Sequence, residues 1–445
     1  MVQQITIIDI IISLFYIIVI LSIVSIFKPA KEKNYAKLYF PFVISKIIFA
    51  IIFVLIHSYY YKGGDTFLYF AGGNFFYEQI KANPIALLKI LNSSFGSLND
   101  LSYTSSYGII SSIRSNDVFF MSKILGIILL FTGKNFLAAN IIFTSLTAIG
   151  IWKLYTTMCK LYPRLYKLFA LGILFYPSLG IWGSGILKDP LTFAAVGVIF
   201  SSTYHLINRK KVFYSVMGII ISTLLCFVLK PYILYTFIPI ILLWAQGQIS
   251  RKVKNPFFKI IITPLIITIF CIGGYFALNS VSSGAGKYSL DSVQSVAEGF
   301  QSWHTYLAET RDQSGYSLGE VEFTPIGILT KAPQAFFVTY FRPFIIGDVR
   351  NIATLFEAIQ ALILLILSIY VFLRVGILKS LRLIVSNTDL RAFMLFAIIF
   401  GVTVGLTSYN FGALSRYKIP SVPFYVASIS IIYYLGYLKP KKGFA

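Results

Sequence analysis

The sequence predicts an all-α polytopic membrane protein with about eleven transmembrane helices and with amphipathic or interfacial helices on its outer face. Three observations predict it. Of 445 residues, 57% are apolar and only 12% are charged, where soluble domains carry about 25% charged residues. Apolar runs of about 18 residues or more recur along the whole chain, each long enough to cross roughly 30 Å of hydrocarbon as a helix. The basic residues are confined to short segments between alternate runs, the pattern that marks cytoplasmic loops.

Charge sets the orientation. The formal net charge is +22, from 38 Lys and Arg against 16 Asp and Glu. Six segments, Lys28–Lys37, Lys153–Lys167, Arg209–Lys211, Arg251–Lys259, Arg374–Arg391 and Lys439–Lys442, hold 22 of the basic residues and, of the acids, only Glu32 and Asp389. A nucleic-acid-binding protein would instead carry such charge on one face of a soluble domain. Placing all six segments on the cytoplasmic side of a bacterial inner membrane puts the N-terminus outside and the C-terminus inside.

In chain order the spans are then 5–27, 38–60, 135–155, 167–185, 190–207, 212–229, 232–247, 257–278, 352–373, 392–408 and 419–437. Ile5–Phe27 is longer than a signal-peptide core and has no basic residue before it, so it reads as a span. Residues 1–37 form an extra N-terminal span with its basic loop, and 38–278 the main transmembrane module. Within that module, 61–134 is a first outer loop with amphipathic stretches such as Phe75–Leu91. Phe119–Gly133 is short and broken by Lys123; as a crossing it would turn the Lys153–Lys167 loop outward, so it reads as an interfacial or re-entrant helix. Residues 279–351 form a second outer loop that starts acidic and ends in an apolar and basic stretch, Pro325–Arg350, expected to lie back on the membrane. Residues 352–445 supply the last spans and a basic tail. Cys159, Cys226 and Cys271 are isolated and read as small buried hydrophobes.

The outer ends of the spans carry the residues with chemistry. At the end of the second span, Lys62-Gly63-Gly64-Asp65-Thr66 combines two glycines, free to turn sharply, with one carboxylate among Tyr59, Tyr60, Tyr61 and Tyr69. An acid in such low-dielectric surroundings serves as a general base if its proton affinity is raised; the plainer reading is a turn aspartate. In Ser184-Gly185-Ile186-Leu187-Lys188-Asp189-Pro190, Asp189 suits a helix N-cap and Pro190 the first turn. Lys188 at this depth calls for an anionic partner: Asp189, a lipid headgroup or a phosphate. Lys230, Arg342, Arg350, Arg416 and Lys418 are further outer cations. An arginine fork suits a phosphate, whereas each cation alone suits snorkelling.

Other chemistries lack their residues. His57, His205 and His304 are scattered, and no paired-histidine, HExxH or carboxylate cluster defines a metal site. No glycine-rich phosphate loop of the Walker type exists, which argues against direct use of ATP. Asp9, Lys46 and Glu357 lie inside spans but are too dispersed for a proton relay. These residues identify no cofactor; a divalent metal stays open, with no ligand motif to support it.

Three stretches resemble the GT-C class of integral-membrane glycosyltransferases, most closely the bacterial branch related to protein O-mannosyltransferases and aminoarabinose transferases. The first is the outer loop opening at Gly64-Asp65-Thr66 and closing with Phe119–Asn135 before the span Ala138–Leu154. The second is Tyr176-Pro177-Ser178 followed by Lys188-Asp189-Pro190. The third is Ser415-Arg416-Tyr417-Lys418-Ile419-Pro420-Ser421-Val422-Pro423, similar to an Arg-Tyr-x-x-Pro-x-x-Pro stretch before a late span. The resemblance implies a polyprenyl-phosphate sugar donor, an extracytoplasmic acceptor, and Asp65 activating the acceptor or orienting the donor. It also implies that Lys188, Asp189, Lys230, Arg342, Arg416, Tyr417 and Lys418 bind the sugar or lipid phosphate. The chain departs from the pattern in having one acid, Asp65, where many members have two adjacent ones, and in its extra first span.

Two other functions share this layout. A repeat-unit polymerase of surface polysaccharide also joins lipid-linked glycans outside the membrane, and 279–351 would be its large outer loop. A lipid-linked oligosaccharide flippase would show repeat symmetry and polar groups at the midplane of several spans; the sequence shows no clear symmetry.

Overall fold

The computed structural model describes residues 4–26, 34–93, 113, 115–252, 298–299, 302, 306, 314–319, 321–322 and 324–438. Among them are seventeen α-helices and, of β structure, one isolated bridge between Gly315 and Asn410. In chain order the helices are α1 (Ile7–Ile26), α2 (Tyr39–Leu55), α3 (Asp65–Ala82), α4 (Ala86–Asn92), α5 (Asn116–Thr132), α6 (Phe136–Leu161), α7 (Tyr166–Phe169), α8 (Pro177–Trp182), α9 (Lys188–Ile207), α10 (Val212–Leu229), α11 (Pro231–Lys252), α12 (Pro325–Phe341), α13 (Ile352–Val375), α14 (Ile377–Ser386), α15 (Thr388–Ser408), α16 (Phe411–Tyr417) and α17 (Val422–Tyr433).

Eight of these stretches are long and apolar enough to span a membrane: α1, the run Asn34–Tyr61 containing α2, α6, α9, α10, α11, α13 and α15. A ninth is formed if α16 and the run Val422–Leu438, bent by 69°, count as one broken span. The chain is an all-α, multi-pass membrane protein. The expected span 257–278 lies outside the described residues, as do Cys271, His304 and residues 279–297 at the start of the second outer loop.

One expected span differs. Residues 167–185 form no single helix but α7, a π-helical turn at Ala170–Leu174, and the short α8. Pro177 has no amide hydrogen to continue a helix, and Tyr176 before it is held extended at φ −69°, ψ 120°. The chain divides into two compact units: Met1–Thr156, Leu174–Val198 and Ile220–Lys230 make the first, and Thr157–Ile173, Ile199–Ile219 and Pro231–Ala445 the second.

In the first unit, small residues let helices approach closely, as apolar spans without a hydrophobic drive between them require. A Cβ on Gly150 of α6 would overlap the backbone of Ala194, and one on Gly197 of α9 the carbonyl of Gly150. Helix α5, 17 residues long, buries Met121, Leu125 and Leu129 in the core that α3 also lines. Its Lys123 donates to the carbonyls of Leu91 and Ser93 at the end of α4, at 3.2 and 2.6 Å. The non-helical stretch after α8 lies against the interior of α2 and α6 rather than their ends. Buried Lys46 of α2 donates to the Gly183 carbonyl, while Asn140 and Thr144 of α6 donate to that of Ser184 at 3.1 and 2.7 Å. These donors replace the hydrogen bonds lost where the helix breaks.

The second unit has an aromatic core of Phe200, Phe237, Trp244, Phe393, Phe396 and Phe424. Within it α12, part of the stretch expected to lie on the membrane, packs along α15: Thr339 donates to the Gly401 carbonyl at 2.7 Å and Tyr340 to that of Ala397 at 2.8 Å. Segments expected on one membrane face meet at one end of this unit. Lys160 reaches His205 at 3.2 Å, Lys252 the Asn208 side chain at 2.9 Å, and Arg164 the Tyr434 hydroxyl at 3.3 Å.

Candidate functional site

In the first unit the turn at Lys62-Gly63-Gly64 forms where the glycines predict it. A π-helical turn, Ile56–Tyr61, ends the second span, Lys62 takes left-handed backbone angles (φ 48°), and Gly64 sits at φ 114° as the N-cap of α3. Only glycine adopts that angle readily. Beside this turn lies His57, at ordinary contact distance from Gly64; it stacks on Phe53 and hydrogen-bonds its carbonyl at 3.0 Å. Asp65 is the first residue of α3, where the helix dipole favours a carboxylate, and it is exposed. Tyr69 lies one turn further on the same face, a rise of about 6 Å.

Lys188 meets this helix. Its ammonium lies 5.5 Å from the centre of the Tyr69 ring and forms an ion pair with Asp117 in the first turn of α5. Asp117 also accepts from the hydroxyl of Ser115. The next residue, Asp189, was expected as a cap before the helix but lies inside its first turn, ahead of Pro190. Its carboxylate pairs with Lys230, just past α10, at 2.5 Å. Two pairs of opposite charge, one buried and one largely so, thus sit side by side, drawn from three separate segments. Side-chain exposure is 2% for Asp189 and 9% for Lys230, but 16% for Lys188, which is the more exposed of the two cations. Removing one member of a buried pair strands its partner, at a cost of about 3–5 kcal/mol. The exposed carboxylate of Asp65 and Tyr69, against whose ring the partly exposed Lys188 ammonium lies, thus belong to the first two turns of one helix.

The remaining predicted residues lie in the second unit. Arg342 spends its fork on Asp348: Nε donates to Oδ2 at 2.9 Å and Nη2 to Oδ1. The guanidinium lies 5.3 Å from the centre of the Phe411 ring, which opens α16. That helix carries Arg416 and Tyr417, both half-buried, with the Arg416 guanidinium 6.0 Å from the Tyr417 ring. Asn410 caps it, accepting from the amides of Gly412 and Ala413 at 2.8 and 3.1 Å. Lys418, just beyond, is buried with its ammonium 3.9 Å from the carboxylate of Glu357. The segment before α16 is held by Ser314 and Tyr316, whose backbones pair with Phe411 and Tyr409 at 3.1 and 3.0 Å. Arg350 is exposed.

Sequence reasoning missed Asp117, Asp348 and the pairing of Lys418 with Glu357. A signal for Asp117 existed: Ser115-Asn116-Asp117 before an apolar run is a helix start. Cys159 and Cys226 are buried, as expected. Among the described residues no three His, Cys, Asp or Glu side chains cluster as metal ligands. Compared with known protein families, curated proteins and solved structures, the chain matches none.

Proposed function

We propose that the protein is a membrane glycosyltransferase that moves a sugar from a polyprenyl-phosphate donor to an extracytoplasmic glycan, lipid or protein acceptor. The observation that carries the reading is the exposed carboxylate of Asp65 on the same face of α3 as Tyr69, over which Lys188 lies. Asp65 takes the proton of an acceptor hydroxyl while that oxygen bonds to the anomeric carbon, inverting it. The bond from that carbon to the phosphate oxygen breaks, and the polyprenyl phosphate leaves with the electron pair. Lys188 stabilises the developing charge on the leaving phosphate, its own charge held in place by Asp117. Arg416 and Tyr417 are a second candidate phosphate contact, to be tested separately by Arg416→Gln.

The test is mass spectrometry of polyprenyl-linked and surface glycans from cells with and without the protein. Loss of one sugar from the surface glycan, with its polyprenyl-phosphate donor accumulating, supports the transferase. Loss of chain length alone makes the protein a repeat-unit polymerase instead.

One observation favours a second reading, a flippase for lipid-linked glycans. The break between α8 and α9 lies beside the middle of α2, with a buried lysine on its carbonyl, and discontinuous helices are where transporters place their sites. Intact lipid-linked glycan accumulating on the cytoplasmic side would select it.

A further inference from the structure

We infer that α14 and its flanks form a binding surface for anionic phospholipid headgroups. Successive residues of a helix turn by about 100°, and α14 divides into three sectors on that basis. Ser380 faces the protein, fully buried, with its hydroxyl on the Gly376 carbonyl at 2.9 Å. Ile377, Leu378, Leu381 and Val385 share a second sector and are exposed, Leu378 by 83%. Lys379, Arg382 and Ser386 form the third, also exposed.

Exposed leucines beside exposed cations make no sense for a helix in water, but they suit one lying in a membrane interface with its apolar face in the acyl region. The neighbours fix α14 at that level: α13 ends at Val375 and α15 starts at Thr388, both helices long enough to span. Tyrosines gather beside it, as they do at membrane–water interfaces. Tyr433 and Tyr437 stack at 5.3 Å, Arg374 donates to the Tyr437 hydroxyl at 2.6 Å, and Lys379 donates to the Gly436 carbonyl at 2.6 Å. Arg374, Lys379, Arg382 and Arg391 therefore ring a helix whose apolar side sits among acyl chains. Between Arg374 and Arg391 the sequence has one acid, Asp389, which is buried and accepts from Tyr162, Trp244 and Gln248. The ligand that supplies both a chain and a negative charge here is an anionic phospholipid. The inference is independent of the proposed chemistry.

The test is native mass spectrometry of the full-length protein released from detergent, with phosphatidylglycerol or phosphatidylcholine of matched chains added. The wild-type protein is expected to retain phosphatidylglycerol preferentially, and Lys379→Gln/Arg382→Gln to lose that preference by roughly fivefold for each charge removed. Lys210→Gln/Lys211→Gln, in another exposed basic loop, is expected to keep it. Equal retention of the two lipids by the wild type, or an unchanged preference in the α14 variant, overturns the proposal. So does an equal loss in the control variant, or displacement of the lipid by inorganic phosphate alone.

Discussion

Lys188 donates its ammonium to the carboxylate of Asp117, 71 residues earlier in the chain. The adjacent Asp189 takes the ammonium of Lys230, 41 residues later. Two neighbours in sequence thus reach in opposite directions and tie the start of α9 to the start of α5 and to the end of α10. The partner expected for this cation was Asp189, a lipid headgroup or a phosphate; it has the carboxylate of Asp117 instead, so any phosphate must share it.

Lys188→Met and Asp117→Asn are each expected to lower stability by about 3–5 kcal/mol, because the remaining charge is stranded in a largely buried place. Thermal unfolding in detergent reads this. The exchange Asp117→Lys/Lys188→Asp is expected to recover part of the loss. Single variants as stable as the wild type would show that the pair does not hold the segments together.

Gly150→Ala adds one methyl group where α6 meets the backbone of Ala194. A backbone carbonyl cannot rotate aside as a side chain can, so the helices must separate, at a cost of about 1–3 kcal/mol. Gel filtration and thermal unfolding of the variant are expected to show a less stable protein. An unchanged transition would place α6 and α9 further apart than described here.

Tyr162 donates to Asp389 at 3.1 Å, beside Trp244 and Gln248, which donate to the same carboxylate at 2.7 and 2.5 Å. Burial first, and then the Asp389 charge, push its phenol above the ordinary value of 10.0. The folded protein therefore keeps a proton that the unfolded chain releases above about pH 10. Stability from this group is constant through neutral pH and falls as pH rises beyond that point. Tyr162→Phe is expected to flatten the alkaline fall in the thermal midpoint; identical alkaline profiles for the two proteins would exclude the linkage.

The spans were legible because hydropathy and loop charge are properties of composition, and eight of the expected crossings are long apolar helices. Residues 167–185 misled for the same reason. Their apolar content is that of a span, but Pro177 and the extended Tyr176 break the backbone, which composition does not register. The turn at Gly64 was legible because a local backbone angle dictates the residue type. The partners of Lys188, Arg342 and Lys418 were not, since each pairing depends on how distant or intervening segments fold back. Lys46 illustrates the limit: its role at the Gly183 carbonyl depends on a helix break 137 residues away.

The measurement that bears most directly on the proposed chemistry is a comparison of polyprenyl-linked and surface glycans in cells carrying the wild-type protein or Asp65→Asn. Asp65 is exposed at the start of α3, so the variant is expected to insert and accumulate normally. The account predicts loss of the transferred sugar from the surface and accumulation of its polyprenyl-phosphate donor. Full transfer by a normally inserted Asp65→Asn protein would contradict it.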